Sequence, residues 1–306
     1  MSAVAIQSLP SGQDCARRLA ARLGLGCETI ALHRFPDGEL RVTVGPAADT
    51  TILYASLNQP NEKLIALLFA AEALRRNGAK RLVLVAPYLC YMRQDAAFHP
   101  GEAVSQHAVG RLLAGIVDRI VTVDAHLHRT AEIASVFPGI EAENLSAMPA
   151  IAQALARIGC DPETVVIGPD VESEPWVSDL ATRLRLHHTV ARKTRHGDRS
   201  VDIAFADAGL LAGRPALLVD DIVSSGGTLT VAATALQALG TTTIDAIVTH
   251  ALFPPEMTAA FAQAGIRSVR STDSVPHPTN AIALDDILAT ALRRELGTTH
   301  PPETTT

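Results

Sequence analysis

The segment that most constrains the fold of this chain is residues 215–236, a predicted buried strand followed by a tight turn and a helix. The apolar run Leu217-Leu218-Val219 is typical of a parallel strand, and Asp220 and Asp221 follow it directly. The turn consists of small residues, namely Ser224, Ser225, Gly226, Gly227 and Thr228. Backbone N–H groups converge at such a turn, the helix dipole attracts negative charge, and glycine lets an anion approach the backbone. We therefore predict a phosphate site here.

The two acids narrow the choice of ligand. Carboxylates repel a phosphate group, so Asp220 and Asp221 should face another part of the same ligand. Sugar hydroxyls fit best because they donate hydrogen bonds, and a metal ion bound to the phosphate is the second choice. The chain contains no G-x-x-x-x-G-K-[ST] string, the phosphate loop of many nucleotide-binding proteins. The segment thus predicts a sugar phosphate as ligand, with an ordinary capped strand-to-helix turn as the alternative.

Strand-like and helix-like segments alternate along the whole chain. Apolar runs at residues 82–86 and 120–123 indicate buried strands, and stretches of helical period lie between such runs. We predict an α/β protein with two similar domains, each a mostly parallel sheet flanked by helices, at residues 1–145 and 146–297. Residues 298–306, rich in Thr and Pro, are predicted to be a disordered tail.

Polar residues cluster where the predicted strands end. The clusters are Arg93-Gln94-Asp95, Asp124-Ala125-His126, Asp170 and the pair Asp220-Asp221. Ligands of open α/β sheets bind beyond the carboxyl ends of the strands. Several such loops in one chain predict a shared active site.

Composition excludes several classes of protein. The 306 residues are 47% hydrophobic, which indicates a compact protein with room for two cores. The net charge of −6 argues against a dedicated nucleic-acid-binding protein, whose surface would be basic. The four cysteines form no C-x-x-C pair, which fits reduced thiols. No signal-peptide pattern and no apolar run of membrane-spanning length occurs, so we expect a cytoplasmic protein without membrane partners.

Five further motifs accompany the turn. They are R-F-P-D-G-E at residues 34–39, Y-M-R-Q-D at 91–95, V-D-A-H at 123–126, G-P-D at 168–170 and K-T-R at 193–195. In this order, and together with the turn, they are similar to the motifs of ribose-phosphate pyrophosphokinases, also called phosphoribosyl pyrophosphate (PRPP) synthetases. The resemblance covers nearly the whole chain. It implies two phosphoribosyltransferase-like domains, the first carrying the ATP-site loops and the second the ribose 5-phosphate loop.

The resemblance also implies an activity and a role for each motif. The implied reaction moves the diphosphoryl group of MgATP to the C1 hydroxyl of ribose 5-phosphate, giving PRPP and AMP. The implied ATP contacts are Phe35, Asp37, Gly38, Glu39, Arg93, Gln94 and Asp95. The implied ribose 5-phosphate contacts are Arg195, Asp220, Asp221, Ser224, Ser225, Gly226, Gly227 and Thr228, and the implied Mg²⁺ contacts are His126 and Asp170. Lys193 and Arg195 would act in the transition state. A homo-oligomer is implied, because in this family the loop from Phe35 to Glu39 completes a neighbour's ATP site.

Residue chemistry alone leaves more choices open. On an extended segment, Lys193 and Arg195 share one face, as two cations that reach one phosphate chain would need, although a solvated basic run has the same spacing. Mg²⁺ prefers oxygen ligands, so His126 would act partly through water.

Some residues depart from the family pattern. Ser224 and Ser225 stand where Asp and Thr are frequent, and both keep a hydroxyl. Glu172 and Glu174 follow the G-P-D motif where bacterial members have A-G-G, which resembles the archaeal-type branch.

Two other functions compete with PRPP synthesis. The first is a catalytically silent relative that regulates a synthetase, although such relatives typically lose the motif of Lys193 and Arg195. The second is a phosphoribosyltransferase that consumes PRPP, which explains residues 215–236 but not the motifs at 34–39 and 91–95.

Overall fold

The structure, a computed structural model, describes residues 4–196, 200–205 and 208–297 and divides into two compact units. The first unit contains the chain up to Leu145 and again from Asp285 onward, and the second is Ser146–Leu284. Residues 285–297, which the sequence pattern assigned to the second domain, thus group with the first unit. Helical period predicts a helix there, but it carries no information about the partner of that helix. The predicted tail at residues 298–306 lies outside the described residues.

The described residues form eight α-helices. They are α1 (Gln13–Leu23), α2 (Pro60–Arg76), α3 (Ser105–Ala114), α4 (Met148–Ile158), α5 (Glu174–Leu184), α6 (Gly227–Ala238), α7 (Met257–Gln263) and α8 (Asp285–Leu296). Short 3₁₀ helices cover Pro10–Gly12, Ile133–Val136, Val171–Ser173 and Ala208–Leu210. Helix ends follow local chemistry, since Pro60 begins α2 and Gly24 ends α1 with a φ of 67°. No helix in this part of the chain is long and apolar enough to cross a membrane.

The sheet of the first unit has six strands, all parallel, in the order β2-β1-β5-β6-β7-β8. The first eight strands along the chain are β1 (Val4–Ser8), β2 (Cys27–Thr29), β3 (Ala31–Arg34), β4 (Leu40–Thr43), β5 (Thr50–Tyr54), β6 (Arg81–Ala86), β7 (Arg119–Val123) and β8 (Glu141–Leu145). The apolar runs at residues 82–86 and 120–123 are buried in β6 and β7. The predicted parallel sheet is confirmed.

Strands β3 and β4 form a separate antiparallel hairpin. Its turn is the segment from Phe35 to Glu39, the first of the predicted ATP motifs. The hairpin packs on α2.

The sheet of the second unit has seven strands in the order β11-β10-β9-β12-β13-β14-β15. These strands are β9 (Val165–Gly168), β10 (His187–His196), β11 (Ser200–Phe205), β12 (Ala216–Val223), β13 (Ile244–Ala251), β14 (Ile266–Thr272) and β15 (Asn280–Ile282). All pairs are parallel except β10 with β11. The predicted fold class, with helices on a mostly parallel sheet in each half, is therefore confirmed.

Strand β12 is longer than the sequence predicts. The ladder to β13 continues through Asp220, opposite Val248, and through Ile222, opposite His250. The acid pair thus lies inside the strand rather than after it. Two consecutive acids look like a strand end in the sequence, but backbone pairing with β13 keeps them extended.

Candidate active site

The turn between β3 and β4 is held by its own backbone and by one carboxylate. The Phe35 N–H donates to the Glu39 carbonyl at 2.8 Å, and the Gly38 N–H donates to the Phe35 carbonyl at 2.9 Å. The Glu39 N–H donates to Asp37 Oδ1 at 3.2 Å, and Gly38 has a φ of 94° that favours glycine. The Phe35 ring is 38% exposed, so the turn presents an aromatic ring to solvent.

A cavity of about 450 Å³ lies between this hairpin and α2. Its walls include Gly38, Glu39 and Leu40 from the hairpin, and Ile65 and Phe69 from α2. An ion pair between Arg34 and Glu62 closes one side. The sequence motifs did not include the α2 residues, although apolar residues four apart on an exposed helix face were a usable signal.

The second ATP motif follows β6. Tyr91 has a φ of 62°, and its hydroxyl donates to Asn61 Oδ1 at the start of α2. The Arg93 side chain is exposed. The Gln94 amide donates to the Ala96 carbonyl and to Glu102, both at 3.2 Å. Asp95 is different, because its side chain is only 1% exposed and is paired with Arg129.

The predicted histidine follows β7. The Ala125 N–H donates to Asn144 Oδ1 at 2.9 Å, which fixes the backbone next to His126. The rings of His126 and His128 meet edge to face with centroids 3.8 Å apart. Strands β6 and β7 are parallel neighbours, so the two motifs leave the same edge of the sheet.

Three carboxylates come together in the second unit. Asp170 precedes the 3₁₀ helix Val171–Ser173, and its Oδ1 accepts from the Glu172 N–H at 3.2 Å. The Ile222 N–H donates to Asp221 Oδ1 at 2.8 Å, and the Asp221 side chain is buried. Burial holds the pKa of Asp220 well above its usual range, and the charges of Asp221 and Asp170 raise this pKa further. A divalent cation or hydroxyl donors would relieve this concentration of charge.

The predicted phosphate turn leads into helix α6. Gly226 adopts a φ of 75° and immediately precedes α6, so the turn opens directly onto a helix N-terminus. A Cβ atom at Gly226 would lie 2.5 Å from the ring of Phe261, which leaves no room for a side chain. The Thr230 hydroxyl donates to the Gly226 carbonyl at 2.9 Å and so ties the turn to the helix. Ser225 and Gly227 are exposed to solvent, Ser224 and Thr228 are partly exposed, and Gly226 is buried.

The predicted catalytic cations lie on strand β10. The backbone at Lys193 pairs with Ile203 of β11, and the backbone at Arg195 pairs with Val201. Both positions are therefore extended, as the spacing argument requires. Their side chains lie outside what the structure describes.

Two glutamates near Asp170 have separate surroundings. Glu172 lines a cavity of about 430 Å³ together with Asp170, Val171 and Arg192. Glu174 Oε1 instead lies 3.2 Å from His188 Nε2 and accepts from it when that nitrogen carries a proton. Arg192 thus shares a cavity with Asp170, a predicted metal ligand.

The side chains near Asp170 can be compared with the ligands that the implied Mg²⁺ would need. Among the described residues no three His, Cys, Asp or Glu side chains form a ready-made metal site. Mg²⁺ needs only one or two protein carboxylates when substrate phosphates and water complete its coordination. Asp170, with Asp220 and Asp221 nearby, fits such a shared site. His126 belongs to the other unit and stays a prediction.

Comparison with known proteins gives the same picture in both halves of the chain. A family model described as the N-terminal domain of ribose phosphate pyrophosphokinase matches residues 4–116. A family model of the phosphoribosyl transferase domain matches residues 142–260.

Individual relatives match nearly the full length. The ribose-phosphate pyrophosphokinase of Methanopyrus kandleri is 33% identical over 288 residues, which cover 94% of this chain and 97% of the relative. Ribose-phosphate pyrophosphokinase 2 of Archaeoglobus fulgidus is 33% identical over 280 residues, which cover 92% and 97%. A crystal structure of phosphoribosylpyrophosphate synthetase from Mycobacterium smegmatis is 24% identical, has a TM-score of 0.82 and covers 95% of this chain and 98% of its own. This last likeness supports the fold.

Proposed function

The chain belongs to the ribose-phosphate pyrophosphokinase family, and from this premise we propose that it makes PRPP and AMP from ATP and ribose 5-phosphate. The C1 oxygen of ribose 5-phosphate forms a bond to the β-phosphorus of ATP, and the bond between that phosphorus and the oxygen that bridges it to the α-phosphorus breaks, so that the bridging oxygen stays with AMP. AMP leaves, and the C1 hydroxyl loses its proton. The observation that carries the proposal is the full-length match to archaeal relatives of this name, which also fits the archaeal-type features of the sequence.

Ribose 5-phosphate would bind in the second unit. The turn of Ser224, Ser225, Gly226, Gly227 and Thr228 would hold the 5-phosphate through backbone N–H groups, hydroxyls and the dipole of α6. Asp220 and Asp221 would accept hydrogen bonds from ribose hydroxyls, which the raised pKa of Asp220 does not oppose, because a protonated acid also binds hydroxyls.

ATP would bind through the first unit. Arg93 carries the charge suited to phosphate, and the turn from Phe35 to Glu39 offers an aromatic face and polar edges for the base. Asp37 braces that turn through the Glu39 N–H, so part of its role would be to shape the loop.

Mg²⁺ would be held by Asp170 and by substrate phosphates, with His126 as a further contact, and it would neutralise charge on the transferring group. Lys193 and Arg195 would neutralise the charge that develops during transfer. In phosphoryl-transfer enzymes positioning and charge stabilisation supply most of the rate enhancement.

A homo-oligomer would account for the surface beside the hairpin. Ile65 and Phe69 are 44% and 42% exposed next to the Phe35 turn, which leaves a contiguous apolar area for a second copy of the chain. The two alternative functions are not favoured, because Lys193 and Arg195 of the predicted catalytic motif are present and residues 4–116 match the N-terminal domain of ribose phosphate pyrophosphokinase.

The proposal predicts AMP formation that depends on Lys193. Wild-type protein with ATP, Mg²⁺ and ribose 5-phosphate should release AMP, detected by chromatography. Lys193→Ala should lower kcat by about 10²–10³-fold, the usual cost of one transition-state charge donor. KM should change little, since an interaction made only in the transition state lowers kcat alone.

Lys80→Ala is the matched control, because Lys80 is an exposed lysine paired with Asp49 on the surface of the first unit. Its kcat should equal that of wild type. Unchanged turnover in Lys193→Ala, or PRPP-dependent nucleotide formation from a free base, would contradict the proposed reaction.

A further inference from the structure

Two loops leave the first sheet side by side at its carboxyl edge. We call residues 91–95, after β6, the nucleotide loop, and residues 124–130, after β7, the histidine loop. Under the proposed function the first contacts ATP and the second contacts Mg²⁺. Under that function, the residues that join these loops determine the position of the nucleotide relative to the metal ion.

Asp95 joins the two loops directly. Its Oδ2 accepts from the Arg129 N–H at 3.1 Å, and its Oδ1 accepts from Arg129 Nη1 at 2.9 Å. Both carboxylate oxygens are thus engaged by one residue that lies 34 positions away. The Asp95 side chain is 1% exposed, whereas Arg129 is 61% exposed and can reach solvent.

Gln106 of α3 makes a second link between the same loops. This residue is fully buried, its amide nitrogen donates to the Met92 carbonyl at 3.4 Å, and its amide oxygen accepts from the Thr130 hydroxyl at 2.9 Å. A buried amide with both ends satisfied strongly favours one arrangement of its neighbours. The two loops are therefore linked at two independent points.

The segment after the nucleotide loop is also fixed. The Arg129 guanidinium lies 5.2 Å from the centre of the Phe98 ring, in a cation–π contact. Glu102 Oε2 accepts from the Phe98 N–H at 2.9 Å and from the Gln94 amide at 3.2 Å. Arg129 thus contacts the nucleotide loop through Asp95 and the segment that follows this loop through Phe98.

We propose that Asp95 and Arg129 form a brace that sets the nucleotide loop against the histidine loop, so that Asp95 is a positioning residue rather than an ATP ligand. This inference rests on the proposed function and deepens it. A buried carboxylate that already accepts two charge-assisted or backbone hydrogen bonds gains little from a nucleotide. Arg93, two residues earlier, is exposed to solvent and carries the charge proposed to contact the substrate.

The brace is tested with Asp95→Asn, which keeps the side-chain size, and with Arg129→Gln, which shortens the side chain; each removes one charge. Both variants should raise KM for MgATP by roughly tenfold or more, because small misplacements of a binding loop are costly. KM for ribose 5-phosphate should stay at the wild-type value. The double variant should be no worse than the poorer single variant, because both changes break the same contact. Arg129→Lys, which keeps the charge, should recover part of the ATP affinity.

Asp118→Asn is the matched control. Asp118 also accepts from an arginine, Arg75 Nη2 at 2.6 Å, and from a backbone N–H, that of Leu82 at 2.7 Å, but it lies at the amino end of β7. Asp118→Asn should lower the free energy of unfolding without any change in KM for MgATP. A general structural defect would instead move both KM values, or would affect control and test variants alike.

Two measurements work without turnover. Calorimetric MgATP binding should weaken in the same variants, and the Arg129 amide should exchange its hydrogen faster in Asp95→Ala. If the wild-type protein forms no AMP but its MgATP binding still depends on Asp95 and Arg129, the proposed reaction is contradicted and the brace is not. Wild-type MgATP affinity in both single variants would overturn the brace.

Discussion

At the scale of single residues, Lys63 is unusual because its ammonium group is half-buried. Its ammonium group donates to the Ser56 carbonyl and to Asn58 Oδ1, both at 2.7 Å, at the first turn of α2. Burial lowers the pKa of Lys63 from 10.5 to about 8, and the neighbouring Cys90 opposes this only weakly. A half-buried lysine with two fixed acceptors stabilises the loop that connects β5 to α2.

Lys63 should make the stability of the protein depend on pH. Between about pH 8 and 10.5, the unfolded chain keeps a proton that the folded protein has released, so the free energy of unfolding should rise with pH. Burial raises the pKa of Cys90 from 9.0 to about 12, which lowers stability with rising pH above about pH 9. Urea denaturation between about pH 7.5 and 9 isolates the lysine effect.

Lys63→Met should remove this rise, since the thioether fills the same space without a charge. Lys80→Met is the control, because Lys80 is exposed and should leave the pH slope unchanged. The same slope in Lys63→Met as in wild type would contradict the prediction.

Residue motifs predict which loops carry the candidate site residues, but not what each side chain contacts. Asp95 belongs to a predicted ATP motif, yet its carboxylate accepts from Arg129, a residue that no motif included. Asp37 similarly accepts from the Glu39 N–H within its own turn. Such pairings depend on three-dimensional proximity between loops or on turn geometry, which spacing along a sequence does not specify.

At the scale of elements, continuous apolar runs predicted the buried strands correctly, whereas polar residues within a run did not mark the end of a strand. The strands at residues 82–86 and 120–123 were predicted because parallel strands are buried on both faces. The end of β12 was misjudged, because Asp220 and Asp221 interrupt the apolar run while the backbone ladder to β13 continues. Backbone pairing with a neighbouring strand can therefore extend a strand through charged residues.

The turn before α6 gives a prediction at this scale. Gly226→Ala should lower the free energy of unfolding by roughly 2–4 kcal/mol, because it combines a left-handed backbone with overpacking against Phe261. It should also raise KM for ribose 5-phosphate, since the turn must shift to accommodate the methyl group. Equilibrium denaturation and initial-rate kinetics measure the two effects.

Gly240→Ala separates backbone strain from the clash. Gly240 has a similar φ of 78° just after α6, but a Cβ there would meet open space. Gly240→Ala should lower the free energy of unfolding by about 1–2 kcal/mol and leave KM for ribose 5-phosphate unchanged. Equal effects of the two substitutions would show that the Phe261 contact does not matter.

At the scale of the whole molecule, α8 completes the first unit through buried charges. Arg119 of β7 is fully buried, and its Nη1 donates to Glu295 Oε1 of α8 at 2.8 Å. Arg81 Nε donates to the other oxygen of Glu295 at 2.8 Å. At the opposite end of the helix, Arg22 of α1 donates to Asp285 at 2.7 Å, where the helix dipole also favours an acid.

Glu295→Ala should destabilise the first unit by about 3 kcal/mol, the lower end for a broken buried ion pair, because the buried Arg119 loses one carboxylate partner but keeps Glu143 and the Ala291 carbonyl. Glu72→Ala is the control, since Glu72 and Arg76 form an exposed pair on α2 worth at most about 0.5 kcal/mol. Chemical denaturation followed by circular dichroism measures both. A similar small loss for the two variants would mean that α8 is held by its apolar face alone.

The return of α8 to the first unit has a consequence for biosynthesis. A ribosome reaches Glu295 176 residues after Arg119, a delay of roughly 9–35 s at ordinary translation speeds. During that interval the nascent first unit lacks one of its helices, and the second unit, Ser146–Leu284, is completed only as translation arrives at α8. We therefore expect the first unit, although translated first, to stay incomplete until almost the whole chain has been made, and to be the half that engages chaperones.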